Sequence, residues 1–134
     1  MRSSKALLLT LTAWLLWSAP AFAQDMFLRK GSAEALAKEC RAVLSADLDK
    51  MQAPADAMWP IGSCLGFLNG VIDMATIARE ESPKTAQFFC IPRTVTGAQL
   101  AKVFVKYSDN HPEQLHLPAA VIVVLSFKDA FPCS

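Results

Sequence analysis

Few side chains in this chain could carry chemistry, and their spacing argues against most of the reactions they suggest. Two histidines bound the run His111-Pro112-Glu113-Gln114-Leu115-His116. A helical zinc pair sets its histidines four residues apart so that both imidazoles face one ion, usually with a third ligand and a glutamate inside the motif. Here the spacing is five and a proline intervenes. The run therefore reads as histidines that cap or pack around a helix start, and no metal or other cofactor is expected. The four cysteines, Cys40, Cys64, Cys90 and Cys133, form no C-x-x-C motif. A cysteine nucleophile needs a free thiol, a histidine base and an orienting group, and an even cysteine count is more simply used in two disulfides. There is no G-x-S-x-G elbow and no glycine-rich phosphate loop. Asn69 and Asp73 stand one turn apart and could make a polar site, but a buried hydrogen-bonding pair that fixes helix contacts is the better reading. No residue is assigned a catalytic role.

The compartment agrees with the cysteines. Arg2 and Lys5 make a basic start, Ala6 to Trp17 is an apolar run, and Ala21-Phe22-Ala23 is an A-x-A cleavage site. Residues 1–23 are therefore expected to be a cleaved secretory signal peptide, with the mature domain, 24–134, starting at Gln24. The apolar run is short for a membrane span, and no later segment is expected to cross a bilayer. Of 134 residues, 111 follow position 23, a length for one domain. Losing Arg2 and Lys5 from 13 basic residues leaves 11 against 12 acidic ones, a net charge of −1. With no lysine or arginine cluster, that balance excludes nucleic acid and anionic membrane surfaces as expected partners. A core of this size is modest, so disulfides add usefully to stability.

The elements that must position these residues read as helices. Ser32 is a candidate N-cap, and Leu36, Cys40, Val43, Leu44, Leu48 and Met51 recur at helical spacing before Pro54. Glu34 and Lys38, with Asp47 and Asp49, make the opposite face wet. A second helix is expected from about Pro60 to Arg79, with Ile61, Leu65, Leu68, Ile72 and Ala75 as its apolar stripe. Gly62, Gly66 and Gly70 fall four residues apart on a different stripe. Three helical glycines cost about 1 kcal/mol each relative to alanine, so the spacing predicts a backbone approaching too closely for a Cβ, within the domain or across a dimer. Simple helix–helix packing is the favoured form.

From Glu80 to Phe88 the chain is polar and broken by Pro83, and it reads as an exposed loop. Thr96 and Gln99 form a T-x-x-Q capping box, with Val95 and Leu100 at the positions of a hydrophobic staple. Leu100, Val103, Phe104 and Tyr107 follow as the buried face of a third helix, with Lys102 and Lys106 outside. Pro112 suits the first turn of a short helix through His116, and Pro118 opens the last one. Ala119 to Leu125 offers no polar face, which predicts either the centre of the bundle or an oligomer interface. Periodicity alone cannot tell this run from a buried strand, but its length to Ala130 and the lack of any second strand-like run favour helix.

In an up-down arrangement, Cys40 late in the first helix and Cys64 early in the second lie at one end. So do Cys90, just before the third helix, and Cys133, just after the last. Of the three pairings open to four cysteines, Cys40–Cys64 and Cys90–Cys133 are expected. The fold class is all-α: a small disulfide-stapled bundle of about four main helices plus a short helical turn.

Four blocks, in order, point further: Cys64-Leu65-Gly66-Phe67-Leu68-Asn69-Gly70-Val71-Ile72-Asp73; Cys90-Ile91-Pro92 with Val95, Thr96, Gln99 and Leu100; Tyr107 followed by His111 to His116; and Ala130-Phe131-Pro132-Cys133. Together they resemble the Rap/Tai family of immunity proteins of type VI secretion, from about Ala33 to Cys133. The resemblance implies a periplasmic, disulfide-containing, all-helical protein, often a homodimer. Such proteins block a papain-like peptidoglycan amidase delivered by sister cells by occluding its cleft. Ser108 departs from the pattern, standing where the family tends to carry a leucine. An inhibitor must present something that protrudes, and the least fold-constrained polar loop supplies Glu80, Glu81, Ser82, Pro83, Lys84, Thr85 and Gln87 as the expected partner surface. Residues 109–116 are the second candidate. The alternative is a general periplasmic interaction or envelope-stress protein on the same scaffold.

Overall fold

The computed structural model describes residues 31–46, 53–82 and 87–133. The expected signal peptide, its cleavage site and Gln24, like Leu48 and Met51, lie outside the described residues. Within them the fold is all-α, four helices with two short 3-10 turns and no strand.

Helix α1 is Ala33–Ser45. The first amides of a helix have no partner inside it, and each of these finds one locally. Ala33 N–H donates to the Leu117 carbonyl at 3.0 Å and Glu34 N–H to that of Leu115 at 3.1 Å. Ala35 N–H donates to the Ser32 hydroxyl at 3.3 Å, the N-cap bond expected of that serine. In return, Ala119 N–H donates to the Gly31 carbonyl at 2.7 Å. The starts of α1 and of the last helix are thereby stitched together. Leu36, Ala37, Cys40 and Val43 are buried along α1, while Leu44, expected on the same face, is 40% exposed.

Helix α2, Met58–Glu81, follows a 3-10 turn at Ala55–Ala57. It runs two residues beyond the expected span at each end. Pro60 falls in its first turn, where a missing N–H costs nothing. The helix is apolar on more than one side, so only Ile61, Cys64 and Leu68 are buried. Contrary to expectation, the helical stretch Ala55–Glu81, with a mean hydropathy of 1.5 over 18 residues, is long and apolar enough to cross a bilayer. Its inner face is nevertheless bonded and packed to the other helices of the bundle.

Helix α3, Gly97–Asn110, starts with the capping box read from the sequence: Gln99 N–H donates to the Thr96 hydroxyl at 3.3 Å, and Thr96 N–H to Gln99 Oε1 at 2.8 Å. Leu100 and Phe104 are buried as expected, but Val103 and Tyr107 are only half-buried. Ala101, Val105 and Ser108 complete the inner face instead, because α3 packs against α1, α2 and the last helix at once. The Ser108 hydroxyl is fully buried without a hydrogen-bond partner, an arrangement that costs about 1–3 kcal/mol. Residues Pro112–Gln114 form a 3-10 turn rather than a helix reaching His116.

Helix α4, Ala119–Ala130, resolves the choice between helix and strand. Ala119, Ile122, Val123 and Phe127 are buried, whereas Val121 and Leu125 face solvent. Both expected disulfides are present: Cys40–Cys64 ties α1 to α2, and Cys90–Cys133 ties the segment before α3 to the residues after α4. No cysteine is free.

Candidate functional site

Within the chain the glycine stripe meets no neighbouring helix, which removes one of its two expected forms and leaves the approach across a dimer. A Cβ placed on Gly62, Gly66 or Gly70 would meet no atom within 4 Å. The close approach occurs at Gly97 instead, where a Cβ would lie 3.2 Å from Leu65 Cδ2 as α3 starts against α2. Spacing alone cannot identify which side of an apolar helix has a neighbour. Asn69 and Asp73 are likewise exposed on α2, so they are not a buried pair.

The stripe borders an open apolar face. Trp59, Phe67, Met74 and Ile77 of α2 stand exposed, Trp59 by 81% and Met74 by 64%, and Val121 and Leu125 of α4 are exposed as well. Between the two helices lies a groove of about 490 Å³ whose lining carries no exposed polar atom. Phe67, Gly70, Val71 and Met74 form its α2 wall, Ala120 and Val124 its α4 wall, and Phe88 joins the lining from the segment between α2 and α3. Large contiguous apolar patches on soluble domains mark interaction sites. Nothing in such a lining can polarise a bond or move a proton; it can only bury another apolar surface.

The expected partner loop begins as helix. Glu80 and Glu81 belong to the last turn of α2 and are exposed. Ser82 ends the helix, with φ −142° and ψ 70°, and its N–H donates to the Ala78 carbonyl at 2.9 Å. Pro83, Lys84 and Thr85 lie outside the described residues. Gln87 is exposed, and its Nε2 donates to Cys90 Sγ at 3.1 Å. Ala78 and Phe88, on either side of this segment, both line the apolar groove. The described residues flanking the polar partner candidate thus reach the apolar face, a relation that residue order alone does not reveal.

The second candidate segment is built differently. Tyr107 and His111 rings lie 4.3 Å apart, and His111 Nδ1 is 3.2 Å from Glu113 Oε1. Hydrogen bonding to its own backbone amide holds the Glu113 carboxyl below its ordinary pKa; desolvation opposes this, and the His111 and Gln114 contacts lower it further. His116 is exposed. Among the described residues, no three His, Cys, Asp or Glu side chains converge as they would on a metal ion. A smaller polar cleft of about 230 Å³ lies nearby, where Lys106, Tyr107, Asn110 and His111 face Ser126 and Asp129. The Ser126 hydroxyl is spent on the Val123 carbonyl at 2.8 Å.

A family model described as Rap1a immunity proteins matches residues 32–133. No curated protein and no solved structure matches the chain.

Proposed function

The chain belongs to the Rap1a immunity proteins, and from that membership we propose that it is a periplasmic inhibitor of a peptidoglycan amidase delivered by type VI secretion. It acts by binding rather than by catalysis, covering the amidase's cleft. The observation that carries the reading is the family match across residues 32–133. Supporting it, all four cysteines are held in disulfides, which leaves no thiol nucleophile and suits an oxidising compartment. Residues 1–23 direct export and are removed. Glu80, Glu81, Ser82, Pro83, Lys84, Thr85 and Gln87 meet the rim of the amidase's active site. The test is enzymatic: one equivalent of the mature chain per amidase should abolish release of peptidoglycan fragments. An amidase encoded beside this chain that cuts undiminished in its presence would leave the general periplasmic interaction protein as the reading.

The chain also forms a homodimer, closing the glycine-bordered apolar face of α2 and α4 over a second copy. The support is the exposed area around Phe67, Met74 and Val121 and the open space above Gly66, which admits another backbone. Gly66→Leu separates packing within the chain from packing between copies. A leucine in an exposed helix gains up to about 0.8 kcal/mol over glycine in propensity, so the melt of dilute monomer should not fall. Sedimentation at higher concentration should show the dimer lost, since the new side chain blocks the approach. A variant that dimerises like wild type would remove this face from the interface; one whose monomer melts lower would mean the stripe is packed within the chain.

A further inference from the structure

The two disulfides differ in exposure and in what they hold. Cys40 and Cys64 are both at 0% exposure, packed between two helices. Cys90 and Cys133 are only partly buried, and both lie in segments without regular secondary structure. An attacking thiolate must reach a sulfur, so access sets which bond exchanges first. The Cys90–Cys133 bond also fixes residues 87–92 across the end of α4. Weaker contacts assist it there. Cys90 N–H donates to the Phe131 carbonyl at 2.9 Å, the Phe89 ring stands edge-on to Phe127 at 5.5 Å, and Ile91 packs partly buried on the core. Two residues from Cys90, Phe88 lines the apolar groove. Segments with few buried contacts are the ones that open locally.

We propose that Cys90–Cys133 is a reducible latch on the apolar groove, opened by an external dithiol while Cys40–Cys64 stays closed. The dithiol's thiolate attacks one sulfur of the pair, forms a mixed disulfide and expels the other cysteine as a thiolate. Its second thiol then displaces the cysteine first attacked. The reductant leaves as a disulfide, two electrons pass to the protein, and its two protons end on Cys90 and Cys133. Residues 87–92 then keep only non-covalent contacts to the end of α4, and Phe88 is freed from its place in the groove lining. The latch is independent of what fills the groove. Where a second copy or an amidase lies against that face, reduction becomes a means of regulating the contact.

The test uses the folded mature chain with both disulfides intact. Dithiothreitol is raised stepwise under native conditions, thiols are trapped by alkylation, and peptides are mapped by mass. The expected first product carries two labels, on Cys90 and Cys133, with Cys40 still joined to Cys64. In that species the Cys90 amide, which donates to the Phe131 carbonyl, should exchange hydrogen about tenfold faster or more, with α1 unchanged. Simultaneous labelling of all four cysteines, or of Cys40 and Cys64 first, would overturn the proposal. So would a two-thiol species whose Cys90 amide exchanges no faster than before.

Discussion

Phe127→Ala is expected to be the most damaging single truncation in the bundle. Phe127 is fully buried near the end of α4, and its ring meets Phe89 at 5.5 Å and Phe131 at 6.3 Å, both edge-on. It therefore serves two purposes, filling the core and anchoring the segment that Cys90 ties down. Truncating a buried phenylalanine costs about 3–5 kcal/mol, against a total of about 5–15 kcal/mol for a domain of this kind. At about 4–8 °C per kcal/mol for a chain near 100 residues, the melting temperature should fall by more than about 12 °C. Leu125→Ala, on another face of the same helix and 37% exposed, is the control and should move it little. Comparable melts for the two variants would mean that α4 is not packed as described.

The second large effect lies in the Cys40–Cys64 bond. The bond closes a sequence separation of 24, which the loop-entropy model values at about 3.5 kcal/mol. The Cys40→Ala, Cys64→Ala double variant should lose about that much in urea unfolding without reductant. Because the model places the effect in the unfolded chain, the variant should also unfold with a steeper dependence on urea, exposing more surface once the crosslink is gone. A loss of stability with an unchanged slope would move the effect into the folded core, where both sulfurs are buried.

What could be read from residues in advance was what local chemistry controls. The Thr96–Gln99 capping box, the Ser32 cap and the helix starting after Pro118 depend on neighbours a few positions away, and all three are present. The disulfide pairing was legible because antiparallel helices bring particular ends together. Which side of α2 the glycine stripe occupies was not legible, for a physical reason. Helix α2 is apolar around much of its girth, so its pattern does not distinguish the side facing α1 and α3 from the side facing outward. The same ambiguity hid the groove, which gathers Phe67 and Met74 of α2, Val124 of α4 and Phe88 between them, residues up to 57 positions apart in the chain. The serine and proline after Glu80 and Glu81 suggest a loop, yet the helix runs on until Ser82 leaves the helical region, as a residue preceding proline tends to do.

If this immunity protein works by binding a peptidoglycan amidase through the surface at the end of α2, the two should associate in solution without any other component. Calorimetry of the mature chain against an amidase encoded beside it measures this directly, with wild type compared to Glu81→Ala and Lys84→Ala variants that melt normally. The expected result is saturable binding by wild type, weakened by about 1 kcal/mol or more in each variant. Absence of binding by the folded wild-type chain would contradict the inhibitory role, and full affinity in both variants would move the binding surface away from the end of α2.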